Sequence, residues 1–200
     1  MKKLESSLTN MVLVLTLVAV IMGGILAYVN HLTEGPIKEQ KDKALADGIK
    51  SVMQCSELTV AEPLEKTLTV DGKQLSYIIY NVKDAKGQEL GSAVQSTTMG
   101  FGGDLKVLVG FNQKGEILGY TLLEHAETPG LGAKADLWFQ KGGKGDIIGK
   151  NPGEKPIGVR KDKNDAEQQV DAITASTITS RAFLKAVNKA YEAYKSAQTE

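Results

Sequence analysis

The sequence predicts an α+β domain that follows a single membrane-spanning helix. An uncharged apolar run covers residues 11–29 near the start of the chain. Beyond it, several stretches alternate apolar and polar residues, which is typical of antiparallel strands. Residues 178–197 instead carry apolar residues at spacings of three and four, as in an amphipathic helix. Strands with helices before and after them favour the α+β class.

The apolar run is long enough to cross a bilayer. At about 1.5 Å per residue a helix over 11–29 is roughly 28 Å long, close to the thickness of the hydrocarbon core. A cleavable signal peptide would have a shorter apolar region of about 7–15 residues and a small-x-small cleavage site. This run ends in Ala-Tyr-Val-Asn. We therefore expect an anchor that stays in place.

The flanking charges leave the orientation of this anchor open. Lys2 and Lys3 precede the run, while Lys38, Lys41 and Lys43 follow it. The positive-inside rule compares such flanks, and here both sides are basic.

The chain divides into four predicted parts. These are a short tail over 1–10, the transmembrane helix over 11–29, a helical connector over 30–60 and one domain over 61–200. Pro36 suits the first turn of a connector helix over 34–54.

Within the domain, two alternating runs over 64–80 flank Asp71-Gly72, a dipeptide typical of a tight hairpin turn. A strand is expected over 89–97, followed by a hairpin of 105–111 and 117–123 and a short helix over 131–139. A turn-rich segment over 142–163 contains a short strand at Ile157–Val159. The final helix has a core stripe of Phe183, Val187, Ala190 and Tyr194.

Composition excludes several classes of function. The formal net charge is +0, whereas nucleic-acid binding would show a basic excess. One cysteine, Cys55, cannot form an internal disulfide or a cysteine-based metal cluster, so we take it as structural or incidental. His31 and His125 are far apart in sequence, which argues against a histidine metal site. We expect no metal ligands, and we assign no catalytic role to His125.

A run of hydroxyl residues directly precedes the final helix. Thr174, Ser176, Thr177, Thr179 and Ser180 follow Asp171 within a few positions. One serine or threonine is enough to cap a helix. A helix start with many small polar groups is also a natural site for a phosphate, because its free N–H groups and its dipole both favour an anion.

Two other segments have the composition of binding loops. The first, 99–103, is a glycine-rich turn that follows Thr97 and Thr98, and it lets the backbone approach a ligand closely. The second, 124–132, contains carboxylates, an imidazole and a hydroxyl beside a Pro-Gly turn. Phe101 is open to two interpretations, as a cover for a ligand ring or as ordinary packing.

The hydroxyl run resembles the flavinylation motif of the FMN-binding domain family found in Rnf complex G subunits and in NqrC. That motif reads Asp-x-x-Ser/Thr-Gly-Ala-Thr, and Asp171, Thr174 and Thr177 match it, while Ala175 and Ser176 replace its Gly and Ala. The stretch Glu-Thr-Pro-Gly-Leu-Gly over 127–132 also looks like a signature of this family. The resemblance implies that FMN is joined through its phosphate to Thr177.

The resemblance also implies a set of residues around the flavin. Besides Thr177 as the attachment point, the expected cofactor-binding residues are Asp171, Thr174, Ser176, Thr179, Thr98, Gly100, Phe101, Gly102, Glu127, Thr128, Gly130, Leu131 and Gly132. No catalytic residue is expected.

The function implied by the resemblance is electron transfer by a covalently flavinylated component of a membrane-bound, ion-translocating ferredoxin:NAD oxidoreductase of the Rnf type. Such a component belongs to a translocase and has no complete activity alone. The implied partners are the other Rnf subunits, a flavin transferase that uses FAD and a divalent metal, and membrane lipid. The implied location is the bacterial inner membrane, with a single pass and an extracytoplasmic domain.

Two alternatives stay open at this point. One is an NqrC-like component of a Na⁺-translocating NADH:quinone oxidoreductase, although the short chain favours the Rnf type. The other is a membrane-anchored binding module without redox function, in which the hydroxyl run only caps a helix.

Overall fold

The structure is a computed structural model that describes residues 7–70, 73–162 and 168–198. The chain separates into two compact units, Met1–Lys43 and Ala44–Glu200. One long helix, α1 (Leu8–Met53), contributes to both units.

The first unit consists of the longer part of α1. Its apolar side chains, including Leu13, Ile21 and Leu26, are exposed. Within the described ranges, α1 is the one helix that is long and apolar enough to cross a membrane, judged by length and composition. This agrees with the apolar run that the sequence analysis assigns to an anchor.

Pro36 lies inside α1, so the prediction that it begins a separate connector helix is wrong. An interior proline removes one i→i−4 hydrogen bond and costs about 3 kcal/mol or more. That loss is confined to one turn of a 46-residue helix, and Thr33 adds a side-chain hydrogen bond from Oγ1 to the Val29 carbonyl, 3.0 Å away, in the preceding turn.

The second unit contains an antiparallel six-stranded sheet. Its strands are β1 (Leu58–Val60), β2 (Leu64–Val70), β3 (Lys73–Asp84), β4 (Glu89–Met99), β5 (Asp104–Asn112) and β6 (Ile117–His125). The spatial order is β1-β3-β4-β5-β6, and β2 also pairs with β3. Both predicted hairpins and the strand over 89–97 are confirmed. The expected Asp71-Gly72 turn lies outside the described residues. β1 falls in the stretch expected to be a helical connector, so the end of that stretch is strand instead.

The elements after the sheet are short except for the last. A 3₁₀ turn (Gly132–Lys134) leads into α2 (Ala135–Trp138), which confirms the short helix expected over 131–139. β7 (Ile157–Val159) is the predicted short strand, and it pairs in parallel with β8 (Gln168–Val170), which the sequence analysis did not predict. A second 3₁₀ turn covers Arg160–Asp162, and α3 (Thr177–Gln198) follows.

One face of the sheet packs against α3. The predicted stripe of Phe183, Val187, Ala190 and Tyr194 is buried. Two stacked ring pairs hold this layer: Phe139 with Phe183 at 4.5 Å between centroids, and Phe111 with Tyr194 at 5.3 Å. The strands contribute buried side chains to the same cluster, among them Tyr77, Ile79, Val94, Val107 and Val109.

A second buried cluster contains the C-terminal end of α1. Ile49, Val52 and Met53 pack there with β-strand side chains that include Tyr80 and Leu108. The α1 backbone approaches the sheet closely, because a Cβ atom at Gly110 would lie 2.5 Å from the Val52 carbonyl oxygen, and one at Gly119 would lie 3.0 Å from the Val52 Cα. Glycine is therefore needed at both positions.

Candidate functional site

The hydroxyl run forms the turn into α3, and Thr177 is the first residue of the helix. Within this turn the Ser176 N–H donates to the Ile173 carbonyl at 3.0 Å. Ala175 has a φ of 62°, which is in the left-handed region. Ala175 is the position at which the flavinylation motif carries glycine, so the backbone keeps a glycine-like conformation without glycine.

The five hydroxyl residues have different environments. Ser180 is buried, donates to the Ser176 carbonyl at 2.9 Å and accepts from the Ile173 N–H at 3.0 Å, so it fixes the turn. Thr179 is 1% exposed and donates to Glu127 at 2.7 Å. Thr174 is exposed, and Ser176 is buried at the N-cap position. Thr177 is half-buried, and its hydroxyl makes no hydrogen bond with any described residue.

A buried carboxylate, that of Glu127, joins three of the segments that the sequence analysis selected. The residue is only 6% exposed. Its Oε1 accepts from the Phe101 N–H at 2.7 Å and from the Gly102 N–H at 3.3 Å. Its Oε2 accepts from the Thr179 hydroxyl at 2.7 Å. We call Phe101, Gly102, Glu127 and Thr179 the Glu127 cluster.

Two glycines make room for this carboxylate. A Cβ atom at Gly100 would overlap Glu127 Oε1. A Cβ atom at Gly132 would overlap Glu127 Oε2 and would lie 2.8 Å from Thr179 Oγ1. These glycines are therefore required by close packing against Glu127.

Four large apolar side chains are exposed next to the Glu127 cluster. Met99, Phe101, Leu131 and Ile178 are between 41% and 72% exposed. Phe101 belongs to the cluster, and the other three adjoin Gly100, Gly132 and Thr179 in the chain. We call these four residues the apolar rim. Exposed apolar groups close together are typical of a binding surface.

Several predicted site residues contact other parts of the fold. Asp171 pairs with Arg160 at 3.3 Å, and its carbonyl accepts from the Trp138 indole N–H at 2.8 Å. Thr98 donates its hydroxyl to the Ala182 carbonyl at 3.0 Å, which ties β4 to α3.

Thr128 and Gly130 shape the loop before the first 3₁₀ turn. The Thr128 carbonyl accepts from the N–H groups of Leu131 and Ala133, at 3.1 and 3.2 Å, while its side chain is exposed. Gly130 has a φ of 77°, which favours glycine. The exposed Thr174 makes no hydrogen bond to any residue of the Glu127 cluster.

The predicted set of cofactor-binding residues did not include Ser180, Trp138 or Arg160. Ser180 could have been found from its i+4 spacing to Ser176, which lets a helical serine bond back to a carbonyl. Trp138 and Arg160 contact Asp171 from distant segments, and no sequence signal indicates that contact.

An open pocket of about 450 Å³ adjoins the same loop. Gly130, Leu137 and Trp138 line it, together with Lys134 and Lys144. The Lys144 ammonium lies 5.9 Å from the Trp138 ring centroid. Asp136 also lines the pocket, which therefore combines apolar walls with two cationic groups and one carboxylate.

His125 and Cys55 have local contacts. His125 Nδ1 accepts from the Glu127 N–H at 3.3 Å, which orders the loop. The Cys55 thiol donates to the Glu57 carbonyl at 3.2 Å. Among the described residues there is no group of three or more histidine, cysteine and acidic side chains that could hold a metal ion.

Comparison with protein families gives two matches. Residues 100–192 match the FMN-binding domain, a range that includes the Glu127 cluster, Thr177 and most of α3. Residues 1–52 match the RnfG N-terminal region, which covers nearly all of α1.

Full-length relatives agree with these matches. The G subunit of the ion-translocating oxidoreductase complex of Shewanella baltica (strain OS223) is 35% identical over 191 residues, covering 88% of this chain and 84% of that protein. The G subunit of the Na⁺-translocating ferredoxin:NAD⁺ oxidoreductase complex of Acetobacterium woodii is 30% identical over 190 residues, covering 92% and 89%.

A solved structure has the same fold. The C subunit of the Na⁺-translocating NADH-quinone reductase from Parabacteroides distasonis has a TM-score of 0.52 to this chain at 18% identity. The match covers 81% of this chain and 94% of that one, and it confirms the α+β fold. By sequence, the chain belongs to the family of G subunits of ion-translocating oxidoreductase complexes.

Proposed function

We propose that this chain is the electron-transfer subunit that carries covalently bound FMN in an Rnf-type, ion-translocating oxidoreductase. The observation that carries this proposal is the unbonded Thr177 hydroxyl. It lies on the first residue of α3, within the part of the chain that matches the FMN-binding domain. FMN supplies one- or two-electron transfer when it is bound.

The residues around Thr177 fit such a group. The first N–H groups of α3 have no carbonyl partner within the helix, so they are available to a phosphodiester. The apolar rim offers exposed surface to a planar aromatic ring, and Phe101 is the rim residue suited to cover one face of it. The remaining predicted residues, including Asp171, Thr128 and Gly130, shape the loops on either side.

Attachment requires a separate flavin transferase with FAD as the co-substrate. In this reaction the Thr177 oxygen forms a bond to the phosphorus on the FMN side of FAD. The bridging P–O bond breaks, AMP leaves with that electron pair, and the hydroxyl proton passes to a base of the transferase. Among the described residues Thr177 has no base within hydrogen-bond distance, which is consistent with an external enzyme.

The helix start alone would not retain the flavin without a covalent bond, because its non-covalent contribution is small. An anion at an exposed helix N-terminus gains only about 0.3–1 kcal/mol. Retaining a cofactor at micromolar concentration takes about 8 kcal/mol. The ester therefore keeps the flavin in place, while the protein orients it.

The proposed function requires other subunits, because this chain alone cannot provide an ion path. A single apolar helix cannot enclose an ion path, so other Rnf subunits would form it and would deliver and remove electrons. We place the chain in the bacterial inner membrane, in contact with lipid through α1, as a single-pass protein with its FMN-binding domain outside the cytoplasm.

The test is flavin labelling on co-expression with a flavin transferase. Wild-type chain should stay fluorescent in a denaturing gel and gain the mass of one FMN adduct, while Thr177→Ala should do neither. Ser196→Ala is the matched control, because it removes a hydroxyl from the other end of α3, where Ser196 donates to the Ala193 carbonyl. Labelling of Thr177→Ala would show that FMN is attached to a different residue. An unlabelled wild-type chain would favour the non-redox binding module.

The NqrC-like function is the second candidate, because the fold resembles that of the NADH-quinone reductase protein from Parabacteroides distasonis. Purification of the tagged chain from its native membrane separates the two. Co-purification of ferredoxin:NAD oxidoreductase activity supports the Rnf assignment, and NADH:quinone reductase activity in its place would contradict it.

A further inference from the structure

The contacts of Glu127 point to a positioning role, an inference that rests on the function proposed above. We infer that Glu127 does not contact the flavin. Its carboxylate anchors Thr179 to the glycine-rich turn, and this contact sets the position of the Thr177 hydroxyl for attachment.

The Glu127 carboxylate is already bonded within the protein. Both carboxylate oxygens are occupied by protein donors, two backbone N–H groups on Oε1 and the Thr179 hydroxyl on Oε2. Hydrogen bonds to a charged acceptor are about twice as strong as those between neutral groups. At 6% exposure the carboxylate has little surface left for a ligand.

Thr177 and Thr179 lie on different sides of α3. Successive residues of an α-helix are rotated by about 100°, so side chains two positions apart point to nearly opposite sides. Thr179 is 1% exposed and bonded inward, whereas Thr177 is half-buried with an unbonded hydroxyl. Fixing Thr179 against Glu127 therefore turns Thr177 outward.

Two glycines pack closely around the Glu127 carboxylate. A side chain at Gly100 or Gly132 would occupy the space of the Glu127 oxygens. The carboxylate therefore has one place in which all three donors reach it. The helix start and the glycine-rich turn, which carries Phe101, are held together at that place.

The experiment measures the initial rate of flavin attachment to the purified full-length chain by a flavin transferase with FAD, using intact mass. Thr179→Val keeps the side-chain shape but removes the donor, and we expect attachment at least about tenfold slower because the hydroxyl is misplaced. Thr179→Ser restores the donor and should recover the rate to within about twofold.

A control on the same helix separates positioning from stability. Asn188 accepts from the Ile157 N–H and donates to its carbonyl, both at 2.9 Å, far along α3 from Thr177. Asn188→Ala should lower the urea midpoint and leave the attachment rate unchanged. If Thr179→Val does not fold, Gly132→Ala displaces the same carboxylate from the other side and should slow attachment similarly.

Wild-type attachment rates for folded Thr179→Val or Gly132→Ala would overturn the positioning role while leaving the proposed function intact. Equal slowing in Asn188→Ala would also overturn it, since general stability would then explain the effect. Failure of the wild-type chain to accept FMN would instead refute the proposed function itself.

Discussion

Ala175 combines a β carbon with a backbone conformation that suits glycine. Its φ of 62° costs an L-residue roughly 1–2 kcal/mol. Hydrogen bonds on either side offset this cost, since the Ser176 N–H bonds to the Ile173 carbonyl and the Ser180 hydroxyl bonds at both ends of the turn. The hydrogen bonds of Ser176 and Ser180 thus hold the turn before Thr177 in a conformation that Ala175 by itself disfavours.

Ala175→Gly should therefore stabilise the domain. We expect the free energy of unfolding to rise by about 1 kcal/mol, because glycine relieves the left-handed strain, offset in part by a more flexible unfolded chain. Urea denaturation of the detergent-solubilised chain measures it. Ala85→Gly, at an exposed turn position without a positive φ, is the control and should destabilise slightly. A loss of stability in Ala175→Gly equal to that of the control would contradict the strain argument.

The residue types of the site could be predicted from the sequence, while their contacts could not. The hydroxyl run and the 127–132 stretch are recognisable as local patterns. The bond between Glu127 and Thr179 joins positions 52 residues apart and depends on how α3 packs on the sheet. For the same reason the sequence could not separate the bonded hydroxyl of Thr179 from the unbonded one of Thr177. The roles of the predicted residues toward a flavin stay predictions.

At the scale of elements, the end of α1 packs on β5 and β6 through glycine. Gly110 and Gly119 let the Val52 backbone approach the sheet, and Gln54 donates its side-chain amide to the Leu118 carbonyl at 2.5 Å. The helix end is thus part of the second core cluster.

Gly110→Ala should weaken this packing. We expect a loss of about 1–3 kcal/mol in the free energy of unfolding, typical of an overpacked core. Gly35→Ala is the matched change, because a Cβ atom there meets nothing within 4 Å and the helix gains a better helix-forming residue. The two variants are compared by thermal unfolding in detergent, and equal midpoints would refute the close-packing argument.

Element prediction succeeded where the pattern was long. The paired strands from β2 to β6 and the amphipathic α3 have enough residues to show a period. β1 and β8 have three residues each, too few for alternation to be visible, while the equally short β7 was recognisable from the turn-forming residues around it. The continuity of α1 through Pro36 was also missed, because proline usually marks a helix start or end and only the whole helix shows that it is tolerated.

At the scale of the whole molecule, buried tyrosines make the free energy of unfolding depend on pH in the alkaline range. Burial raises the pKa of Tyr120 well above its ordinary value, with weaker contributions from Asp136 and Asp146. Burial also raises the pKa of Tyr77, with help from Glu192, and the pKa of Tyr194. All three phenols lie in the core cluster between the sheet and α3.

Stability should decline above about pH 10, the ordinary pKa of tyrosine. Above that pH the unfolded chain loses its tyrosine protons, while the folded chain keeps those of the three buried tyrosines. The stabilising contribution of these phenols is therefore complete below about pH 10 and is lost as pH rises toward the pKa values of the folded state. Urea unfolding from pH 8 to 12 measures the decline. Tyr120→Phe loses the hydrogen bonds to the Ala135 carbonyl and from the Phe139 N–H, which should lower the free energy of unfolding by about 1–2 kcal/mol. Its free energy of unfolding should nevertheless fall less steeply than that of the wild type between about pH 10 and pH 12, because one buried phenol is gone. An unchanged slope would contradict this.

Removal of residues 1–30 should release a soluble domain that still accepts flavin. The deletion takes out most of the exposed apolar side chains of α1 and leaves Leu32 and Ile37, whereas the Glu127 cluster and Thr177 lie in the unit that begins at Ala44. Ultracentrifugation followed by in-gel fluorescence tests both properties. A flavin-loaded truncation that still sediments would show that other parts of the chain contact membrane. The predicted boundary at residue 60 stays a prediction.

The position of α3 along the chain has a consequence for biosynthesis. Every strand of the six-stranded sheet leaves the ribosome before α3 does, yet Phe183, Val187 and Ala190 are needed to cover Val94 and Val107. Until α3 has been translated, that face of the nascent sheet is open to water or to a chaperone. Thr177 emerges with the same segment, so the proposed attachment of a flavin there can begin only after every strand of that sheet has been translated.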